Sequence, residues 1–207
     1  MKFLSLTLIT LAGVLTSAFA LPNSSPNPGV SISQAGIDVN EVISSIKATE
    51  RKRTPLYKFK LFCYDSKFDT WAVDGLQAIS QVGKKAGSLK GKNIYDIAGK
   101  FCHENNGHQF HAKYESIRQR YFFKNTLPGF PLPFTPVSFR VLNYDKRPGR
   151  LDATLCTNMM VRLILTCIGP GRPSVLKKFR GGEVQHENGW TYNIICDEDY
   201  CQNYPWK

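Results

Sequence analysis

The chain has 207 residues, of which 27 are Lys or Arg and 16 are Asp or Glu, and its formal net charge is +11. Beyond the first residues, no apolar run approaches the length that spans a bilayer, which argues against stable membrane insertion. The basic surplus favours an anionic partner such as nucleic acid, acidic polysaccharide or a membrane face, although it also aids solubility.

The first twenty residues have the parts of a secretory signal peptide. Met1-Lys2 supplies the charge, an apolar run extends from Phe3 to Leu15, and Ala18-Phe19-Ala20 predicts cleavage after Ala20. We therefore expect a secreted protein with oxidised cysteines, because the secretory pathway pairs thiols. An even number leaves none unpaired, but six cysteines allow fifteen connectivities. The six are Cys63, Cys102, Cys156, Cys167, Cys196 and Cys201.

Residues 21–53 are predicted to be a disordered arm or a propeptide. Leu21–Gly29 is rich in Pro, Asn and Ser, which disfavours a packed core, and it contains the sequon Asn23-Ser24-Ser25. The arm ends in Arg51-Lys52-Arg53, which resembles a Kex2-type processing site; the alternative is a solvated basic linker. Residues 54–207 then form a single domain with 22 basic and 13 acidic residues and a net charge of +9.

This domain is predicted to open with a strand and a helix. Tyr57–Cys63 alternates apolar residues with lysines, as in a strand with one buried side. Asp69–Ala86 repeats apolar residues at three- and four-residue steps, with Asp69 as a cap and Gly87 as a terminator. Gly91–Phe101 is compatible with a turn of helix or a loop. The apolar stripe of the predicted helix consists of Trp71, Gly75, Leu76, Ile79, Val82 and Ala86.

Three of the four histidines follow within a short segment. His103, His108 and His111 would be nitrogen ligands of zinc, but structural zinc sites favour sharper ligand pairs and the cysteines are expected to be oxidised. We therefore predict no metal and no cofactor.

Basic and aromatic side chains are interleaved from residue 109 onward. Gln109–Tyr114 is predicted to be a strand that projects His111 and Lys113 from one face, and Arg118–Lys124 continues the mixture. Such residues suit single-stranded RNA, since cations meet phosphates and rings stack on bases, and they suit an ordinary half-buried strand just as well. The candidate RNA-binding residues are Lys113, Tyr114, Arg118, Arg120, Tyr121 and Arg140.

The rest of the chain is predicted to be mostly strands. Leu127–Pro136 contains four prolines and is expected to be an irregular crossing, followed by strands at Val137–Leu142 and Met159–Leu165. Asn188-Gly189 is typical of a type I′ turn that joins two antiparallel strands. The strand after this turn has an apolar face made of Trp190, Tyr192, Ile194 and Cys196.

Together these elements predict an α+β domain, with one helix packed on a four- or five-stranded antiparallel sheet and braced by disulfides. This order of elements resembles the guanyl-specific fungal ribonucleases of the T1/N1 family: a first strand ending in Cys, one helix, successive strands, and a last hairpin in which a His precedes the turn. The ribonuclease-like secreted effectors of plant-pathogenic fungi are closer still, since they carry an aromatic-x-Cys element after the leader. Here that element is Leu61-Phe62-Cys63, with the aromatic displaced by one position.

The resemblance implies a set of catalytic residues. The family cleaves RNA by attack of a ribose 2′-hydroxyl on the adjacent phosphorus, using a carboxylate base, an imidazolium acid and cations. By position, His186 would be the acid, His111 the second histidine and Arg162 the phosphate-binding arginine. The family's glutamate on a central strand has no counterpart, and Glu115 is the candidate replacement. The resemblance also implies a disulfide between Cys63 and Cys196, because the family ties its first strand to its last.

Without an assured base, we expect weak or absent catalysis, since a positioned acid or base contributes about 10² to 10⁴ in rate. The sequence thus predicts a monomeric, secreted virulence effector with a ribonuclease-like scaffold, which binds host RNA or a host protein beside host cells or after translocation into them. The alternatives are an active guanyl-preferring endoribonuclease that gives 2′,3′-cyclic phosphates, and a disulfide-rich protein that binds a cell wall or surface.

Overall fold

A six-stranded antiparallel sheet forms the centre of the fold. The computed structural model describes residues 43–44, 58–65, 71–111, 113–127, 133–145 and 148–197. The predicted signal peptide (1–20) and the arm (21–53), with its sequon and its basic site, lie outside the described residues except at Ile43 and Ser44. The described residues all belong to one compact unit. Within them, no helix is long and apolar enough to span a bilayer.

The strands of the large sheet are β1 (Phe59–Cys63), β2 (Val73–Gln81), β4 (Ser116–Asn125), β5 (Phe134–Asn143), β7 (Gly182–His186) and β8 (Trp190–Cys196). They lie in the order β1-β7-β8-β5-β4-β2, so β1 and β2 are the edge strands. Two short strands, β3 (Gln109–Phe110) and β6 (Gly149–Arg150), pair in a second small sheet.

Two helices cover one face of the large sheet. α1 (Ile94–Glu104) begins with a capping box, in which the Asn93 side chain accepts from the amides of Tyr95 and Asp96 while the Asp96 carboxylate accepts from the Asn93 amide. α2 (Ala153–Cys167) begins at Asp152, whose carboxylate accepts from the Leu155 amide at 2.6 Å. Both helices pack against the inner face of the sheet, and the core lies between the two layers. The largest fully buried side chains of the large sheet are Tyr121, Tyr192, Phe123 and Phe139, and Phe110 of β3 is fully buried as well.

Two disulfides attach the helices to their surroundings. Cys102–Cys156 joins α1 to α2, and Cys63–Cys167 joins the end of β1 to the end of α2. The pairing of Cys63 with Cys196 is therefore wrong: β7 lies between β1 and β8 in the sheet, and the sulfur that reaches Cys63 comes from the helix layer. Cys196 is disulfide-bonded, and its partner lies outside the described residues.

Several predicted elements are confirmed. β1 occupies Phe59–Cys63 of the predicted first strand, β5 contains the predicted strand 137–142, and β7 and β8 form the predicted hairpin. β4 contains 118–124, for which a half-buried strand was one of the two interpretations. The apolar face of β8 is buried as expected. The α+β class and the disulfide bracing are thus correct, while the sheet has six strands instead of four or five and is covered by two helices instead of one.

Two long elements differ from the prediction. Within the segment predicted as a helix at Asp69–Ala86, Val73–Gln81 forms β2, and Leu76 and Val82 of the predicted apolar stripe are exposed. The predicted cap, Asp69, lies outside the described residues. The segment predicted as a strand at Met159–Leu165 lies inside α2. Gly91–Phe101, which was compatible with a loop or a helix, contains most of α1.

Smaller differences concern turns and strand ends. Gly189 has φ of +83°, but Asn188 is not among the described residues with positive φ, so the turn is not type I′. The Gly189 amide bonds to the His186 carbonyl, as in a three-residue loop that ends in a left-handed glycine. The strand predicted at Gln109–Tyr114 is limited to Gln109–Phe110, and β5 begins inside the predicted irregular crossing, of which residues 128–132 lie outside the described part.

Candidate nucleic-acid interface

The face of the sheet opposite the helices, which we call the outer face, carries a polar and cationic row. The register places Phe62 opposite Glu183, Glu183 opposite Asn193, Asn193 opposite Arg140, and Arg140 opposite Arg118. Because directly opposed residues of a sheet point to the same side, these five side chains form a line across β1, β7, β8, β5 and β4. Neighbouring strands are about 4.8 Å apart, so the line extends over about 19 Å.

This face arises from the alternation of side chains along each strand. Val184, Tyr192, Ile194, Phe139 and Val141 are buried in the core beneath the helices. Their neighbours in sequence therefore project from the other side of the sheet. The outer-face residues of β1, β7, β8, β5 and β4 include Lys60, Phe62, Glu183, Gln185, Thr191, Asn193, Ser138, Arg140, Arg118 and Arg120.

Asp197 fixes two of the arginines. It directly follows β8, its carboxylate is only 2% exposed, and its Oδ2 lies 2.8 Å from Arg120 Nε and 3.8 Å from Arg118 Nη1. The hydroxyl of Ser138 donates to the same oxygen at 3.2 Å. The two guanidinium groups remain more than one third exposed. A buried carboxylate thus orients two cations that still face solvent.

Arg140 differs from these two arginines. No hydrogen bond or ion pair of its guanidinium is present within the described residues, although it lies directly opposite Arg118. The neighbouring Asn193 is 7% exposed, and its Oδ1 has no hydrogen-bond partner in the described part of the chain. A cation and a buried amide oxygen, both without a partner among the described residues, therefore lie side by side at the centre of the outer face.

Exposed aromatic rings lie at two ends of this surface. Phe62 of β1 is 52% exposed. Tyr114 and Tyr144, just beyond the ends of β4 and β5, are also exposed and meet edge to face with ring centroids 5.6 Å apart. The Lys113 ammonium lies 4.7 Å from the centre of the Tyr114 ring. Rings and cations are thus adjacent on the molecular surface as well as in the sequence.

The predicted RNA-binding residues are divided by the fold. Arg118, Arg120 and Arg140 share the outer face, and Lys113 and Tyr114 lie at its border. Tyr121 is fully buried on the inner face and donates its hydroxyl hydrogen to Gln119, so the prediction that it contacts RNA is wrong. Burial also raises the pKa of its phenol, because the charged form is desolvated.

The predicted catalytic residues form two separate groups. Glu115 is tied to the turn after β3: its Oε2 accepts from the His111 amide at 2.6 Å, and its Oε1 lies 4.0 Å from His108 Nε2. His186 is paired with Phe59 in the register, and the Arg162 guanidinium lies 4.9 Å from the Phe59 ring centre. Glu115 precedes β4 and His186 ends β7, so three strand spacings, about 14 Å, separate their backbones.

The orientation of His186 and Arg162 also differs from the expectation. His186 alternates with Gln185 and shares the inner face with Val184, where it is 8% exposed and its Nδ1 accepts from the Asn188 amide at 3.2 Å. Arg162 belongs to α2 and not to a strand, because the segment around it is helical. Both residues therefore lie on the helix side of the sheet, away from the outer-face arginines.

A metal site is not formed by the clustered histidines. The described residues contain no group of three or more His, Cys, Asp or Glu side chains placed to hold a metal ion. His103 lies in the last turn of α1, while His108 packs edge to face on Phe110 with ring centroids 5.0 Å apart.

Sequence reasoning missed Glu183, Asn193 and Asp197 as members of a site. The signal was present in the alternation of β7 and β8, since each of these residues is next to a core residue and must point the other way. What the sequence did not reveal is the register that brings them beside Arg140 and Arg120. Comparisons of the chain with protein-family models, with curated proteins and with solved structures give no match.

Proposed function

We propose that this chain is a secreted effector with a ribonuclease-like scaffold that binds single-stranded RNA on the outer face of its sheet and does not cleave it. The observation that carries the proposal is the arginine cluster, Arg118, Arg120 and Arg140, on one face beside an unsatisfied amide. The family resemblance and the fungal source rest on the order of the sequence elements.

The balance of charge on the outer face favours an anionic ligand. On β1, β7, β8, β5 and β4 and directly after β8, its cations are Lys60, Arg118, Arg120, Lys124 and Arg140, and its carboxylates are Glu183 and Asp197. Asp74 of the edge strand β2, between the inward-facing Val73 and Gly75, is a further carboxylate. Lys and Arg that neutralise phosphates release condensed counterions, which supplies most of the affinity of sequence-independent binding. Guanidinium groups also bind phosphate oxygens in pairs and stack on planar rings.

The arrangement of Arg140 indicates a function beyond bracing the sheet. Like charges directly opposite each other on neighbouring strands are destabilising, and the Arg118–Arg140 pair is such a case. Asp197 compensates Arg118 and Arg120, and no described carboxylate pairs with Arg140. A bound phosphate would neutralise the remaining charge.

The position of the histidines argues against cleavage. Transfer of phosphate to the 2′-hydroxyl needs an acid for the leaving oxygen, and the family uses an imidazolium. All four histidines of the chain are among the described residues, and none occupies a position on the outer face of the large sheet. Glu183 supplies a carboxylate there, but without an adjacent imidazole it has no acid partner.

The experiment is a titration of a short fluorescein-labelled single-stranded RNA with the purified chain, followed by fluorescence anisotropy at several KCl concentrations. Replacing Arg140 by Gln should raise Kd about five- to tenfold, as expected for the loss of one charge-assisted phosphate contact. The slope of log K against log salt should fall by about 0.7, because one phosphate is no longer neutralised. Arg172→Gln is the matched control: it removes the same charge from an exposed loop after α2.

Equal losses from Arg140→Gln and Arg172→Gln would overturn the proposed site, because binding would then depend only on net charge. No RNA binding at any salt concentration would point to a host protein as the target. RNA cut to 2′,3′-cyclic phosphate ends, with activity lost in Glu183→Gln, would instead identify an active endoribonuclease. We expect the labelled RNA to remain intact.

A further inference from the structure

A surface cavity of about 320 Å³ lies between α1 and the loop that follows β2, outside the outer face. Its floor is formed by Leu89, Ile97 and Gly99, and Lys90, Lys92 and His103 stand at its rim. The loop is held in place by backbone bonds from the Ala78 amide to the Lys92 carbonyl at 2.8 Å and from the Leu89 amide to the Ile79 carbonyl at 3.3 Å. The volume is at the lower end of the range of small-molecule sites.

Gly99 is the residue that keeps this cavity open. It lies in the interior of α1, where glycine is less stable than alanine, and its backbone has no positive φ that would require glycine. It is buried, yet a Cβ added to it would meet no atom within 4 Å. Neither helix formation nor packing explains the glycine. The empty space above Gly99 explains the glycine, because any side chain at this position would enter the cavity.

The acidic residues at the cavity are already engaged. The Asp96 carboxylate caps α1 by accepting from the Asn93 amide at 2.9 Å, and Glu104 is paired with Lys100. Lys90 and Lys92 are exposed and form no ion pair within the described residues. The rim therefore presents cationic groups above an apolar floor.

We propose that this cavity binds a small organic anion, whose apolar body occupies the space above Gly99 and whose anionic group meets Lys90 and Lys92. The apolar floor offers nothing to inorganic phosphate, and the lysines add nothing for a neutral hydrophobic molecule. Only a ligand with both properties uses the whole site. The inference is independent of RNA binding, because none of its residues belongs to the outer face.

The test is a fluorescence titration with 8-anilinonaphthalene-1-sulfonate, an apolar anion, and with N-phenyl-1-naphthylamine, the same ring system without the sulfonate. Gly99→Leu should fill the cavity and reduce the affinity for both dyes at least about tenfold. Replacing Lys90 and Lys92 by Ser should weaken the sulfonate dye about three- to tenfold and leave the neutral dye unchanged. Lys84 and Lys85 belong to the same loop but do not line the cavity, so their double Ser variant should bind as the parent does.

Circular dichroism and urea unfolding establish that each variant is folded, since this dye also binds loosened cores. Unchanged sulfonate binding in folded Gly99→Leu overturns the proposal. The same is true if the Lys84 and Lys85 variant loses as much affinity as the Lys90 and Lys92 variant, because the dye would then respond to loop charge alone.

Discussion

Arg140 and Asn193 lie side by side on β5 and β8, and the fold leaves both without a partner among the described residues. A buried amide oxygen without a hydrogen bond costs stability, and so does a guanidinium group opposite another one. Residues that break local rules in this way cluster at functional sites. The unpaired amide oxygen and the opposed guanidinium groups at the centre of the outer face are therefore the best local argument that this surface binds a ligand.

His186 has a structural role in this fold. Its ring is nearly buried on the helix side of the sheet, and it anchors the turn by accepting from the Asn188 amide. Replacement by Ala should lower the free energy of unfolding by about 1 to 3 kcal/mol, through a lost hydrogen bond and a small cavity. The affinity for RNA should change less than twofold. Urea unfolding and anisotropy on the same variant measure both quantities.

The opposite pattern would restore the catalytic interpretation of His186. If the Ala variant were as stable as the parent but lost RNA affinity or an RNA-cleaving activity, the imidazole would have to act on the ligand. Arg162→Gln provides a second check, since this side chain packs over Phe59 on the same side of the sheet.

At the scale of elements, the secondary structure predicted for the segments that form β2 and α2 was wrong, and each error has a physical reason. β2 contains two irregularities in its pairing with β4, between Val73 and Ala78 and between Ala78 and Ser80. The buried positions, Val73, Gly75, Ala78 and Ser80, are spaced two, three and two residues apart, so the strict alternation that identifies a strand is interrupted. Leu76, Ile79 and Val82 fall at the three-residue steps of a helix without being buried. In α2 the apolar run is buried almost all round, and such a run does not distinguish a buried helix from a strand.

The positions of the site residues could be predicted from the sequence only where they follow from the alternation of side chains along one strand. Arg118, Arg120 and Arg140 follow the period of two within their strands, and the sequence grouped them as candidates that the register places on one face of the sheet. Their meeting across β4 and β5 depends on the register, which the turns and the buried faces set together. Glu115 and His186 failed as a pair because strand order, not sequence position, decides which residues are neighbours.

Gly182 is the point where β7 passes beneath the disulfide of β1 and α2. A Cβ at this position would lie 2.5 Å from the Phe62 carbonyl oxygen and 3.1 Å from the Cys167 sulfur. Gly182→Ala should therefore separate β1 from β7 and lower the free energy of unfolding by about 2 to 3 kcal/mol. Urea unfolding and a count of reactive thiols measure the effect.

Gly99→Ala is the matched control for this change, because its added Cβ meets nothing within 4 Å and the helix gains from alanine. It should raise the free energy of unfolding by up to about 1 kcal/mol. Similar stability of the two variants would mean that β1 and β7 are not packed as closely as the contacts of Gly182 require.

At the scale of the whole molecule, buried tyrosines make the free energy of unfolding depend on pH. Burial raises the pKa of Tyr95 from 10.0 to about 12, and it raises the pKa values of Tyr121 and Tyr192 as well. These phenols stay protonated in the folded chain while those of the unfolded chain ionise. Their contribution to stability is therefore complete below about pH 10 and is lost as the pH rises toward 12.

We expect the free energy of unfolding to fall between pH 10 and 12, with Tyr95 alone accounting for up to about 3 kcal/mol. Urea unfolding at successive pH values, with absorbance at 295 nm to follow phenolate, measures both processes. Tyr95→Phe should show a shallower loss over the same interval. Ionisation of all nine tyrosines near pH 10 with the fold intact would contradict the burial of these rings.

The order of the strands has a consequence for biosynthesis. β1 is among the first described elements to leave the ribosome, but its neighbour in the described sheet is β7, more than a hundred residues later. Until then the Cys63 thiol is exposed to Cys102 and Cys156, which emerge before its partner Cys167. Pairing of distant segments is slow, and early non-native disulfides must be exchanged. The yield of correctly folded chain should therefore depend on disulfide isomerisation during oxidative folding, and substitutions in β7 should reduce that yield first.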